Sequence, residues 1–501
     1  MPAKYAIHTK PAVNRQRPVG KLGIVDWRED CSSCHNCVKR SCVYGLYRDE
    51  ADALRDESGY LDYVYQCKGC LSCVQNCTKN ILTRVVNPEF SRLGDGYYTP
   101  EIVMITWFQS ESGRIPVSGS GYGGPFSGEG FDSMWTDMSE IVRPTRDGIH
   151  GREYISTSVD VGRKLSHLAF RDGRLTVQAP PLVELPLPVI FDLVAEPWQR
   201  GAVVRAIAEA AAELGTLAVL RPDHLAAMPA LPPDHVIPLL DKPAWPPGLT
   251  GADPSLAPAA TPARLAAAPM VMLPDGEDVM AAQAAIKAGN PGQVVAIRMA
   301  ASPGSARRSV ELVRQGAEVI HLVFDAHGRE AAPAGSPARQ AGPTFDAHGR
   351  EAAPAQLRHM RDVIREVHQA LVKDSTRDQA TLCVSGGVAL AEHLAKAIIC
   401  GADFVAIDVP LILALECRLC GDCRQGLPCQ IALEEADVTY AVHRLVNLVG
   451  AWHQQLIEVL GAMGIREVRR LRGETGRAMF FEDLEREAFG KIFGKRKGKT
   501  A

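Results

Sequence analysis

Twelve of the fourteen cysteines in this 501-residue chain fall into three groups of four, and their spacing is that of ligands. Cys31, Cys34 and Cys37 stand three residues apart and are followed by Cys42; Cys67, Cys70 and Cys73 repeat the pattern and are followed by Cys77. Three soft thiolates at this interval wrap a turn of chain around one cuboidal iron–sulfur cluster, and in paired sites the remote fourth cysteine crosses to the other cluster. By that rule Cys31, Cys34, Cys37 and Cys77 hold one 4Fe-4S cluster, and Cys67, Cys70, Cys73 and Cys42 hold a second. A third compact run, Cys417, Cys420, Cys423 and Cys429, predicts a third cluster. Zinc knuckles also use paired cysteines but need no third thiol at the same spacing. Ligand thiolates must stay reduced, which places the chain in the cytoplasm.

The elements that must position these groups divide the chain into four. Residues 1–95 read as a ferredoxin-like domain, although Val43 and Thr78 replace the proline usual after the fourth cysteine. Residues 96–180 are a glycine-rich linker and barrel-associated segment. Residues 181–415 carry eight short, nearly all-apolar runs, at 187–192, 217–220, 236–240, 269–273, 294–299, 319–324, 381–384 and 404–407, with alanine-rich helical stretches between several of them. Strands buried on both faces and joined by helices predict a (β/α)8 TIM-type barrel of the α/β class. It should be degenerate, because residues 241–268 are crowded with Pro, Ala and Gly; a doubly wound open sheet is the alternative. Residues 416–501 hold the third cysteine group and C-terminal helices, including an apolar run at 438–460 whose charged residues argue for a buried helix rather than a membrane span.

Ser385, Gly386 and Gly387 directly follow the seventh strand and precede a helix. Glycines there let backbone N–H groups crowd a phosphate at the helix start, and strands 7 and 8 are where barrels commonly hold a cofactor phosphate, so the expected ligand is FMN. Arg298 ends the fifth strand and is expected to face the flavin ring. The segment FDAHGREAAPA occurs at 324–334 and again at 345–355, a duplicated loop at the barrel rim. Duplication alone accounts for its matched His327 and His348.

With these residues in place, the chain resembles the FMN-binding domain of glutamate synthase large subunits, in the short form fused to a two-cluster ferredoxin module. The resemblance rests on the cysteine groups, on residues 122–160 and on 380–430. It implies a 3Fe-4S site formed by Cys417, Cys423 and Cys429; Cys420 is an additional thiol, and 4Fe-4S is therefore the expected form. The family's lysine on strand five corresponds to Arg298, its glycine-rich loop after strand six to Asp325–Gly328, and its glycine–threonine pair after strand eight to Asp408 and Val409. The resemblance implies an iron–sulfur flavoprotein passing electrons between its clusters and a barrel-bound FMN as a subunit of a redox complex. The alternatives are an active glutamate synthase acting on 2-oxoglutarate and ammonia, and a flavin-free relay.

Composition limits the partners. A net charge of -3 with no sustained basic stripe disfavours nucleic acid, and no 18-residue apolar segment free of charge predicts a transmembrane helix. The expected partners are redox subunits linked to ferredoxin, flavin or NAD(P)H, with a homo-oligomer possible.

Overall fold

The computed structural model describes residues 5–16, 19–27, 34, 40–43, 70–116, 130–136, 155–165, 167–177, 179–240, 262–331, 344–345, 351–352, 357–429, 431–432, 435 and 437–493. Cys31, Cys37, Cys67 and His348, most of 122–160 and the crossover at 241–261 lie outside the described residues.

The eight apolar runs form one parallel sheet in sequential order. We number its strands β1 (Val189–Phe191), β2 (Ala218–Leu220), β3 (Val236–Pro238), β4 (Met270–Pro274), β5 (Val294–Ala300), β6 (Val319–Val323), β7 (Thr381–Ser385) and β8 (Phe404–Ile407). β8 pairs with β1, and a single parallel bridge, Leu239 to Met272, joins the ends of β3 and β4. The result is a nearly closed barrel, degenerate at the seam that the Pro-rich crossover spans. The open-sheet alternative is set aside by the β8–β1 pairing.

Helices cover the outside because each carries one apolar stripe. In Met360–Lys373 the buried Met360, Val363, Ile364, Val367 and Leu371 recur at helical spacing. Gly215, Gly316 and Gly401 cap three helices at positive φ, whereas Gly289 lies inside its helix and Asn290 follows as the cap. The helices after β2 and β3 shrink to Pro222–Ala227 and Pro262–Ala267.

The long helix Val438–Ala462 packs against Gly201–Leu214 and Ala391–Cys400, the first and seventh outer helices. It therefore takes the place of the eighth. The cysteine run 417–429 consequently lies within the connection from β8 to its helix, on the face where barrels build active sites. None of the described helices is long and apolar enough to cross a membrane.

Arg444, fully buried in that helix, binds the chain ends together. Its guanidinium donates to the carbonyls of Ala12, Ala414 and Trp107, linking the N-terminal segment, the barrel exit and the helix Pro100–Ser112. The strands Leu22–Trp27 and Leu82–Val86 pair antiparallel, closing the chain on either side of the first eight cysteines.

The loops after β6 and β7 approach as closely as backbones can. Gly387 has φ of 67°, and a Cβ there would lie 2.3 Å from Cα and N of Gly328. Gly387→Ala should therefore lower stability by about 2–3 kcal/mol in urea denaturation. Gly173→Ala, at φ of 74° with nothing within 4 Å, should cost only about 1 kcal/mol. Equal losses at the two sites would show that the loop contact is not binding.

Candidate functional site

Three features converge on the C-terminal mouth of the barrel: a buried charge network, the glycine loop after β7, and the third cysteine run.

The network starts from register. Arg298 on β5, His321 on β6 and Cys383 on β7 are consecutive cross-strand partners and share one face. Arg298 Nη1 donates to Asp192 Oδ1 at 2.6 Å, directly after β1, and lies 3.3 Å from His321 Nδ1. His321 Nε2 lies 2.8 Å from Ser385 Oγ. With Nδ1 facing a guanidinium, the imidazole is neutral with its proton on Nε2, which donates to the serine oxygen. Burial, then the Arg298 charge, drives His321 down to about 3, so it stays neutral. Burial alone would raise the Asp192 carboxyl, but the Arg298 guanidinium holds it down at about 2. Asp408, after β8, is pushed up to about 6 by burial and by Asp192, and its Oδ1 has no hydrogen-bond partner.

Arg298, expected to face a flavin, shares its guanidinium with Asp192 and His321. Asp192 and His321 carry no sequence motif, and Asp408 is marked only by its correspondence to the family's glycine–threonine pair after strand eight. Their signal was available: His321 is the one polar residue in the buried run Val319–Val323, and both aspartates immediately follow apolar strands.

The glycine loop is built into its surroundings. Ser385 is engaged by His321, and Gly386 and Gly387 take φ of 85° and 67° against the turn Phe324–Gly328. That turn is the first copy of the duplicated motif. It is closed by Asp325, which accepts from the N–H groups of His327 and Arg329. His327 pairs with Asp95 at 3.0 Å and stacks on Tyr97. Tyr97 Oη donates to the Gly387 carbonyl.

Cys417, Cys420, Cys423 and Cys429 line one shallow pocket, partly open to solvent, with Trp198 and Ile431. Trp198 comes from the loop after β1, so the pocket spans the neighbouring mouths of β8 and β1. Glu416, Leu419, Gly421 and Gly426 all have positive φ, and these reversals coil the run so that its thiols converge. Burial pushes the Cys417 thiol up to about 12. Of the N-terminal cysteines, Cys42 and Cys73 are buried, Cys77 is half-buried, and Cys34 and Cys70 are exposed. Among the described residues no three thiols come within 4.8 Å of one another; the group that does so is Asp132, Glu392 and His393.

Two segments flanking the first eight cysteines reach this pocket. Glu416, 1% exposed, accepts from Arg15 Nε and from the Gln16 N–H, each at 2.9 Å. Gly94 N–H donates to the Arg418 carbonyl at 2.9 Å.

Replacing Arg298 by Met should cost about 3 kcal/mol, since it strands a buried carboxylate, and the Asp192→Asn/Arg298→Met double variant should recover at least half of that. Urea denaturation of the three variants measures the coupling. Simple addition of the two single losses would dissolve the pair.

Comparison with known proteins follows the same lines. Residues 359–466 match the model described as "Conserved region in glutamate synthase". The archaeal glutamate synthase [NADPH] of Archaeoglobus fulgidus is 27% identical over 93% of this chain and 96% of its own length. The archaeal-type enzyme of Thermotoga maritima is 26% identical over 92% and 95%, and that of Methanocaldococcus jannaschii is 34% identical over 23% of this chain. Among solved structures, a mandelate oxidase variant with benzaldehyde aligns over 68% of this chain and 98% of its own at 15% identity, with a TM-score of 0.36. The chain is thus similar to archaeal-type glutamate synthases along nearly its whole length, and this similarity points to an oxidoreductase-like enzyme family.

Proposed function

We propose that this chain is an iron–sulfur flavoprotein oxidoreductase of glutamate-synthase type, forming glutamate from 2-oxoglutarate and ammonia with electrons delivered through its cysteine-bound clusters. The observation that carries the reading is the five-residue segment Gly94–Tyr98. It hydrogen-bonds the third cysteine run through Gly94 and the loop after β7 through Tyr97, tying the two candidate cofactor sites together. Full-length similarity to the archaeal-type synthases favours this reading over a redox-complex subunit without an amination activity.

The residues fit the groups they are assigned. Four thiols facing one pocket suit a cuboidal cluster, whose thiolates stand farther apart than those around a single ion. The antiparallel pair that closes residues 22–86 supports a compact two-cluster module, with Cys31, Cys34, Cys37 and Cys77 on one cluster and Cys67, Cys70, Cys73 and Cys42 on the other. For FMN, Ser385, Gly386 and Gly387 offer a glycine turn that leads into the helix Ala391–Cys400. When bound, FMN supplies hydride chemistry. The protein's part is to fix charge at the mouth. Arg298 stays cationic and oriented by Asp192, where it can orient an anionic ligand. Neutral His321 keeps Ser385 Oγ in place, and Tyr97 holds the Gly387 carbonyl. NADPH-linked or ferredoxin-linked partners and a reducing cytoplasm accompany this function.

Flavin released from anaerobically purified protein, read by fluorescence, should reach about one per chain, and glutamate should form from 2-oxoglutarate and ammonia with reduced ferredoxin. Flavin without turnover would favour the electron-carrier reading, and absence of both would favour a flavin-free relay. Cys420→Ser should convert the third centre to a three-iron or labile-fourth-iron form. Mössbauer difference spectra of the full chain check this, and an unchanged spectrum would make Cys420 a bystander.

A further inference from the structure

Behind the glycine loop lies a second cluster of ligand-type side chains that the proposed reaction does not use. Asp132 belongs to the short helix Phe131–Ser133; Glu392 and His393 belong to the first turn of Ala391–Cys400. One ligand atom from each lies within 4.8 Å of the other two. His393 is fully buried, and its Nε2 has no hydrogen-bond partner. The Ala389 N–H donates to its other ring nitrogen, Nδ1, at 3.2 Å, which puts the ring proton of the neutral imidazole on Nε2. Binding a cation at Nε2 therefore releases that proton or moves it to Nδ1.

The surroundings fix these donors. Lys396 Nζ donates to the Phe131 carbonyl at 2.7 Å and to Glu392 Oε1 at 3.3 Å, anchoring the short helix over the longer one. The Phe131 ring packs on His393 at 5.0 Å between centroids and edge-on to His359. Gly130 passes so close to His359 that a Cβ there would lie 2.5 Å from its ring. Asp132 and Glu392 are half-buried while His393 is buried, so one side of the group remains reachable.

We infer that Asp132, Glu392 and His393 form a binding site for a first-row divalent metal ion, separate from the cysteine-bound clusters. Nitrogen and carboxylate donors suit manganese, iron(II) or zinc, and the absence of thiols separates this site from the soft ones. Its place beside Gly387 puts such an ion against the loop that leads into the same helix, where it would stiffen the loop without entering the barrel.

The test uses Mn2+, which thiolates bind poorly, added to the full chain with its clusters in place. Loss of the free Mn2+ paramagnetic signal should report about one equivalent bound, and Asp132→Asn or Glu392→Gln should each weaken binding about tenfold or more with iron content unchanged. His393→Gln should do the same; should that buried variant fail to fold, the half-buried Asp132→Asn decides. Mn2+ that stays free up to millimolar concentration, or that binds the variants as tightly as the parent, would overturn the assignment. Neither result bears on flavin content, so the glutamate-synthase reading stands or falls separately.

Discussion

The ion pair between Asp192 and Arg298 runs between β5 and the end of β1, inside a barrel whose core is otherwise largely apolar. Removing two charges from water costs several kcal/mol per ion, and only close geometry with further hydrogen bonds repays it. That demand fixes the neighbours. His321 must be neutral to sit beside the guanidinium, its remaining proton must find Ser385, and Ser385 in turn starts the glycine loop. The orientation of the β7 loop is thus coupled, through three side chains, to the end of β1.

A second constraint acts from outside the barrel. Gly94 must be glycine, because a Cβ there would lie 1.8 Å from the Tyr98 carbonyl oxygen. The tight turn that results lets Asp95 cap Tyr97 and Tyr98 and reach His327. One turn therefore spans the cysteine run and both loops of the mouth. The Glu416 carboxylate holds the chain preceding the first cysteine group to the same run from the other side. Loops held from two directions in this way lose less order on binding a rigid cofactor.

The barrel was legible because its strands are short, doubly buried and free of polar interruption, and all eight fall within a residue or three of where the apolar runs place them. The seam between β3 and β4 was legible as weakness, from the Pro-rich crossover. What could not be read was long-range pairing. Nothing local tells that Val438–Ala462 completes the outer ring, since the helix is separated from β8 by the whole cysteine run. Nor does the sequence around Arg298 announce Asp192, 106 residues earlier. Cysteine spacing groups Cys417, Cys420, Cys423 and Cys429 but does not announce the pocket they share with Trp198.

The same network weighs on the choice between a working barrel and a passive platform. A barrel kept only as scaffold gains nothing from a buried carboxylate, guanidinium and imidazole, because well-packed apolar side chains of similar volume are as stabilising or more so. Charged groups at the C-terminal ends of strands are expected where a site uses them, and a fold tolerates such locally unfavourable choices chiefly at functional positions. Asp408 adds to this, a carboxyl with one oxygen unpaired and burial pushing it up to about 6. Two aspartates near one arginine leave one buried carboxyl oxygen at the mouth, Asp408 Oδ1, without a hydrogen-bond partner, a choice that a core packed for stability alone would not favour.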